Sequence, residues 1–210
     1  MSARLRSLLF ACFAVALVVP TIAASAKPRG AATIIAMPNE RFWAIMDESR
    51  DQDQQAQKTS LRRQLFALRP DEIAAWNMRL DQLMRASYRW DLWGAAYVAM
   101  GGASEDAFEY FRLWLIAQGH NRFEQVMADP DTLAEFAPSD PEQLDFEDLA
   151  HIAPDVWSAK TGRSWEKIPN ISAFFEPTGY GTPSGQEFSE DPKELAARYP
   201  KLWRRFGTGS

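Results

Sequence analysis

Arg89 and Asp91 stand two residues apart in YRWDLWGAAYVAMGG (88–102), among Tyr88, Trp90 and Trp93; Glu109 and Arg112 stand three apart in SEDAFEYFRLWLIAQG (104–119). Carboxylates in such company could act as general acid and base, and arginines offer a fork to a carboxylate or phosphate. Tryptophan and tyrosine rings would supply an apolar wall. Arg89, Asp91, Trp93, Glu109 and Arg112 are therefore the candidate binding residues, with no catalytic residue and no metal ligand assigned.

Other chemistry is thinner. Asp148-x-x-His151, with Glu147 and Asp155 nearby, has ligand-like helical spacing, but carboxylate-bridged metal sites use two such units and only one is present. It reads as a solvated acidic face. His120 follows Gly119 at a helix end, where an imidazole caps or meets the helix dipole. Asp51 and Asp53, in the polar run DESRDQDQQAQK (47–58), lack the glycine and terminal glutamate of a calcium loop. Glu105, Asp106 and Glu109 are ordinary acids for a first helical turn, though a glycosidase would use such a set. G-x-S-x-G, H-E-x-x-H and P-loop patterns do not occur, and no cofactor is expected.

Helices must position these side chains. Trp90, Trp93 and Tyr97 recur at helical spacing, Gly101-Gly102 ends that helix, and Ser104 caps the next, which Gly119 closes. On the second helix Phe108, Phe111 and Leu115 form an apolar stripe that Tyr110, Leu113 and Trp114 widen, so it should be largely buried. The four charges then lie at the edge of the core, where a lone ion is costly. They are expected to form an ion-pair network between the two helices, which would fix the hairpin's register or line a cleft.

The remaining pattern predicts an all-α fold, a single compact multi-helix domain centred on this αα-hairpin. Asn39 reads as a cap for a helix with Phe42, Ile45, Met46 and Ser49 on one face, and 47–58 as its solvated end or a loop. A helix over 60–68 presents Leu61, Leu65 and Leu68; the next starts at Pro70, with Ile73, Trp76, Leu80, Leu83 and Met84 inside. Short helices follow over 121–128 and 131–137, then an acidic linker and a helix that Pro154 kinks. No segment alternates as a strand would. The Gly/Pro/Ser/Thr-rich 166–190 should be extended, and a last short helix from Asp191-Pro192 should break at Pro200.

The N-terminus, MSARLRSLLFACFAVALVVPTIAASA, has the charged, apolar and small-residue parts of a signal peptide, with cleavage expected after Ala26. A retained membrane anchor is the alternative. The expected organisation is signal 1–26, linker 27–38, helical domain 39–165 and tail 166–210. Cys12, the only cysteine, would leave with the signal. The net charge of −5 would become −7 as the positive charges of Arg4 and Arg6 go. An acidic domain without a basic run excludes nucleic acid as a partner class, and a membrane association would need the N-terminal segment to be retained.

FWAIMDESR, the block from YRWDLWGAAYVAMGG to FRLWLIAQG, and TGRSW resemble the bacterial domain-of-unknown-function family numbered 4240 over residues 39–165. The ending YPKLWRRF is similar to the ends of some members. The resemblance implies a bacterial origin and a compact helical domain, and carries over no activity. An export signal departs from many relatives, unless the start codon lies too early. The first functional reading is a non-enzymatic binding or interaction module, periplasmic or secreted, for a protein or a small anionic ligand. The alternative is a hydrolase in which Asp91 or Glu109 does acid/base work and Arg89 or Arg112 orients an anionic substrate.

Overall fold

The computed structural model describes residues 34–51, 53–168 and 181–207. The expected signal segment, most of the expected linker and residues 169–180 of the expected tail lie outside them.

Caps and apolar stripes set the first helices. α1 (Asn39–Ser49) starts from Pro38, one residue before the expected cap, and buries Phe42, Trp43, Met46 and Ser49. α2 (Gln54–Ala67) begins inside the polar run, well before the Ser60 start that its leucines suggested. The reason is Asp53, whose carboxylate accepts the Gln55 amide hydrogen at 3.0 Å and opens the helix. α3 (Pro70–Ala86) has Pro70 in its first turn, and the Glu72 carboxylate reaches back to the Arg69 amide at 2.9 Å.

α4 (Trp90–Met100) stops at Gly101, whose φ of 68° suits a residue without a Cβ. α5 (Glu105–Ala117) starts on Ser104, whose hydroxyl accepts from the Ala107 amide at 3.2 Å. Every residue from Phe111 to Ala117 is buried, so α5 runs through the middle of the core. The two helices touch only lightly, however, and the main neighbours of α4 lie beyond residue 130. Within the pair, α5 is the more deeply buried.

α6 (His120–Ala128) follows directly. Two 3-10 helices, Pro130–Glu135 and Pro141–Leu144, stand where a helix over 131–137 and an acidic linker were expected. α7 (Leu149–Thr161) holds Pro154 within it and packs against α2 and α3.

The described part of the tail belongs to the core. Trp90 donates its amide hydrogen to the Ser184 carbonyl at 2.9 Å, and Ser184 donates to the Tyr88 carbonyl at 3.0 Å. Two short helices follow, α8 (Pro192–Arg198) and α9 (Pro200–Phe206), and they bury Leu195, Tyr199 and Leu202. Gly94 makes room for them: a Cβ there would strike the Tyr199 hydroxyl and lie 3.0 Å from the Phe188 ring. The polar composition of 166–190 masked this apolar spacing further on. Among the described residues there is no strand and no helix long and apolar enough to cross a membrane.

Candidate functional site

The five candidate residues fall into two sets: Arg89 pairs with Asp91, while Trp93 and Arg112 both lie against the Tyr88 and Phe108 rings. Arg89 meets both oxygens of Asp91, with Nε 2.9 Å from Oδ1 and Nη2 on Oδ2, and its Nη1 donates to the Met127 carbonyl at 2.8 Å. Asp91 Oδ1 also accepts the Leu92 amide hydrogen at 2.8 Å. The pair is therefore local to the start of α4 and ties it to α6. Trp93 lies flat between Trp90 and Phe108, at 5.2 and 4.9 Å between ring centres, and donates its indole hydrogen to the Ala103 carbonyl at 3.0 Å.

Arg112 is 1% exposed. Its Nη1 donates to the Met84 carbonyl at 2.6 Å, at the end of α3, and its guanidinium lies over the Tyr88 and Phe108 rings at 4.8 and 4.9 Å. Glu109 is half-buried; its charge contributes to raising the Tyr88 phenol pKa, after burial and the 2.9 Å hydrogen bond from Tyr88 to Glu105. Of the four charges expected to form a network, Arg89 and Asp91 pair with one another and Arg89 also reaches a carbonyl on α6; Arg112 reaches a carbonyl on α3, and its charge and that of Glu109 both act on the Tyr88 phenol. Asp91 meets Arg89 through both of its oxygens.

The remaining titratable residues singled out above also take structural places. His120 opens α6 instead of closing α5, with its ring stacked on Trp43 at 5.0 Å and its amide on the Asp47 carboxylate at 3.0 Å. Asp148 and Asp155 form ion pairs with Lys58 and Arg62, both at 2.5 Å, which join α7 to α2. Among the described residues no group of three histidine, cysteine or acidic side chains could hold a metal ion.

A cleft of about 700 Å³ lies elsewhere, where four separate segments meet. The loop after α1 and the start of α2 bring Arg50, Asp51, Asp53, Gln54 and Gln57; the end of α5 and the first turn of α6 bring Trp114, Gln118 and Arg122. Phe136, Pro138, Glu142 and Gln143 complete it. Its volume is that of a small-molecule site. Two smaller concavities, about 420 Å³ beside α8 and about 470 Å³ on the far side of the 50–53 loop, are lined by no more than one ring between them.

Arg122 is held rigidly in this cleft. Its guanidinium lies over Phe136 at 4.7 Å, Phe136 stacks on Trp114 at 6.1 Å, and Nη1 donates to Gln118 Oε1 at 3.2 Å. Burial lowers the Arg122 pKa, and the positive charge of Arg50 lowers it further. The side chain of Arg50 passes over Gly119, where a Cβ would lie 2.7 Å from Arg50 Cδ. Gly119 itself has a φ of 90°, so this crossing point requires glycine twice over. The acids are partly committed: Asp51 accepts from the Asp53 amide at 3.1 Å, and Asp53 caps α2.

An all-α domain with a polar, arginine-bearing cleft is the class of protein that these elements define. The chain belongs to the family described as Protein of unknown function (DUF4240), whose model matches residues 37–159. That span contains the whole cleft and stops short of α8 and α9. No curated protein and no solved structure matches the chain.

Proposed function

We propose that this domain is a binding module that takes a small polar molecule in the cleft between α2, α5, α6 and the 136–143 segment. The observation that carries the reading is the pre-positioned Arg122, a charged group stacked on Phe136 and aimed by Gln118 before any ligand arrives. Such preorganisation removes part of the ordering cost of binding. The signal-like N-terminus supports a periplasmic or secreted place for this binding, and the family resemblance supports a bacterial host.

The test is to purify the protein gently from its native host and to identify by mass spectrometry what small molecule heat releases. Gln143, exposed on the rim, is replaced by tryptophan to fill the cleft. Wild type should release a compound that Gln143→Trp does not. Equal recovery from both, or none from either, contradicts the reading. The same samples report the N-terminus: a chain beginning at Lys27 supports export with signal cleavage, and an intact Met1 contradicts that cleavage.

A further inference from the structure

We propose that the ligand of this cleft carries one oxyanion, a carboxylate or phosphate, held between Arg50 and Arg122, and that its remaining body supplies hydrogen-bond donors; this rests on the cleft being the binding site. Both arginines line the same concavity, and each comes from a different helix boundary. Arg41, Arg62, Arg69, Arg85 and Arg89 each meet a carboxylate within hydrogen-bond reach, and Arg79, Arg163 and Arg205 spend donors on carbonyl oxygens. Arg122 meets instead the neutral oxygen of Gln118, and the Arg50 side chain has no hydrogen bond or ion pair with the described residues. Two guanidiniums that repel one another, with most of their donors unspent, form a receptor for a shared anion.

The rest of the lining defines the body of the ligand. Gln54, Gln57, Gln118 and Gln143 each donate through Nε2, to the carbonyls of Asp145, Ala117 and Trp114 and to the Asp140 carboxylate. One hydrogen of each amide is so committed, and the Gln118 oxygen already accepts from Arg122; the side-chain oxygens of the other three remain to accept. Asp51, Asp53 and Glu142 add further acceptors and oppose a second negative charge. A cleft that is basic on one side and accepting on the other suits a hydroxylated or aminated small molecule with a single anionic group. It disfavours polyanions such as nucleic acid.

The experiment is isothermal titration of the full chain with glucuronate, glucose 6-phosphate and glucose, at ionic strength matched with potassium chloride. Amide shifts of Gln118, Arg122 and Phe136 are read in parallel. One or both acids should bind at least about tenfold more tightly than glucose, as loss of a charge-assisted contact predicts. Preference for the uronate or the phosphate distinguishes the two anion sources. Arg50→Gln and Arg122→Gln should each weaken the acid about tenfold while melting as wild type does, Arg122→Lys should recover part of the loss, and Arg204→Gln, exposed outside the cleft, should change nothing. Glucose binding as tightly as the acids, with the same residues shifting, overturns the oxyanion inference and leaves the cleft reading standing. No shift at the cleft with any of the three overturns both.

Discussion

Arg112 and Asp131 show what single side chains do in this fold, and why only one was visible in the sequence. Arg112 is a buried cation whose main donor goes to the Met84 carbonyl and whose plane rests on two rings. Its position in an aromatic stripe marked it as partnered, but the partner is a backbone carbonyl, which every residue carries and no sequence marks. Lysine has neither the plane nor the fork, so Arg112→Lys should cost about 2 kcal/mol or more in urea unfolding; a change within about 0.5 kcal/mol contradicts this role for the residue. Asp131, 7% exposed, accepts the amide hydrogens of Lys201, at 3.0 Å to both oxygens, and of Leu202 at 2.9 Å. It caps α9 from seventy residues away. Asp131→Ala should therefore cost about 1–3 kcal/mol and raise hydrogen exchange in 200–206 before exchange rises elsewhere.

At the scale of elements, the contact of α4 with α9 turns on Gly94. A helical glycine replaced by alanine ordinarily gains about 1 kcal/mol, but here the new methyl meets the Tyr199 hydroxyl, which is fixed on the Asp91 carbonyl at 2.8 Å. Gly94→Ala should thus destabilise the domain by about 1–3 kcal/mol, and by less in a Tyr199→Phe background, where the obstructing oxygen is gone. Additive costs in the double variant would contradict the contact. Burial raises the Tyr199 pKa to about 12, while an unfolded tyrosine ionises near 10. Between these values the unfolded chain releases a proton that the folded one keeps, so stability falls as pH rises from about 10 to 12. Tyr199→Phe should flatten that part of the stability–pH curve; an unchanged slope contradicts the buried phenol.

Helix starts were legible where a cap and a stripe agreed, as at Pro70 and Ser104. They were not where a cap stood alone: Asp53 starts α2 inside a run whose polarity reads as loop. The aromatic hairpin likewise advertised a site because its charges sit close in sequence. The charges that meet in a cleft come from positions 50 and 122, and the one local sign of them is the four-residue spacing of Gln118 and Arg122. Tertiary packing, which no periodicity records, brings the rest together.

At the scale of the whole molecule, the domain extends beyond the segment that carries the family's pattern. Residues 181–207 lie outside the 37–159 match, yet Leu195, Tyr199 and Leu202 are 3%, 2% and 0% exposed. Removing 181–210 should lower the urea midpoint and expose a dye-binding apolar face along α4, since each lost large side chain represents about 2 kcal/mol of burial. A truncated chain with the wild-type midpoint would show that the tail is an accessory.

The central claim is that this all-α domain holds its ligand at Arg50 and Arg122 and not at the aromatic hairpin. Backbone amide mapping of the ¹⁵N-labelled protein during titration with the compound recovered from the host tests it most directly. The peaks of Arg50, Gln118, Arg122 and Phe136 should move together, with those of Arg89, Trp93 and Glu109 still. Movement confined to the hairpin residues would contradict the claim.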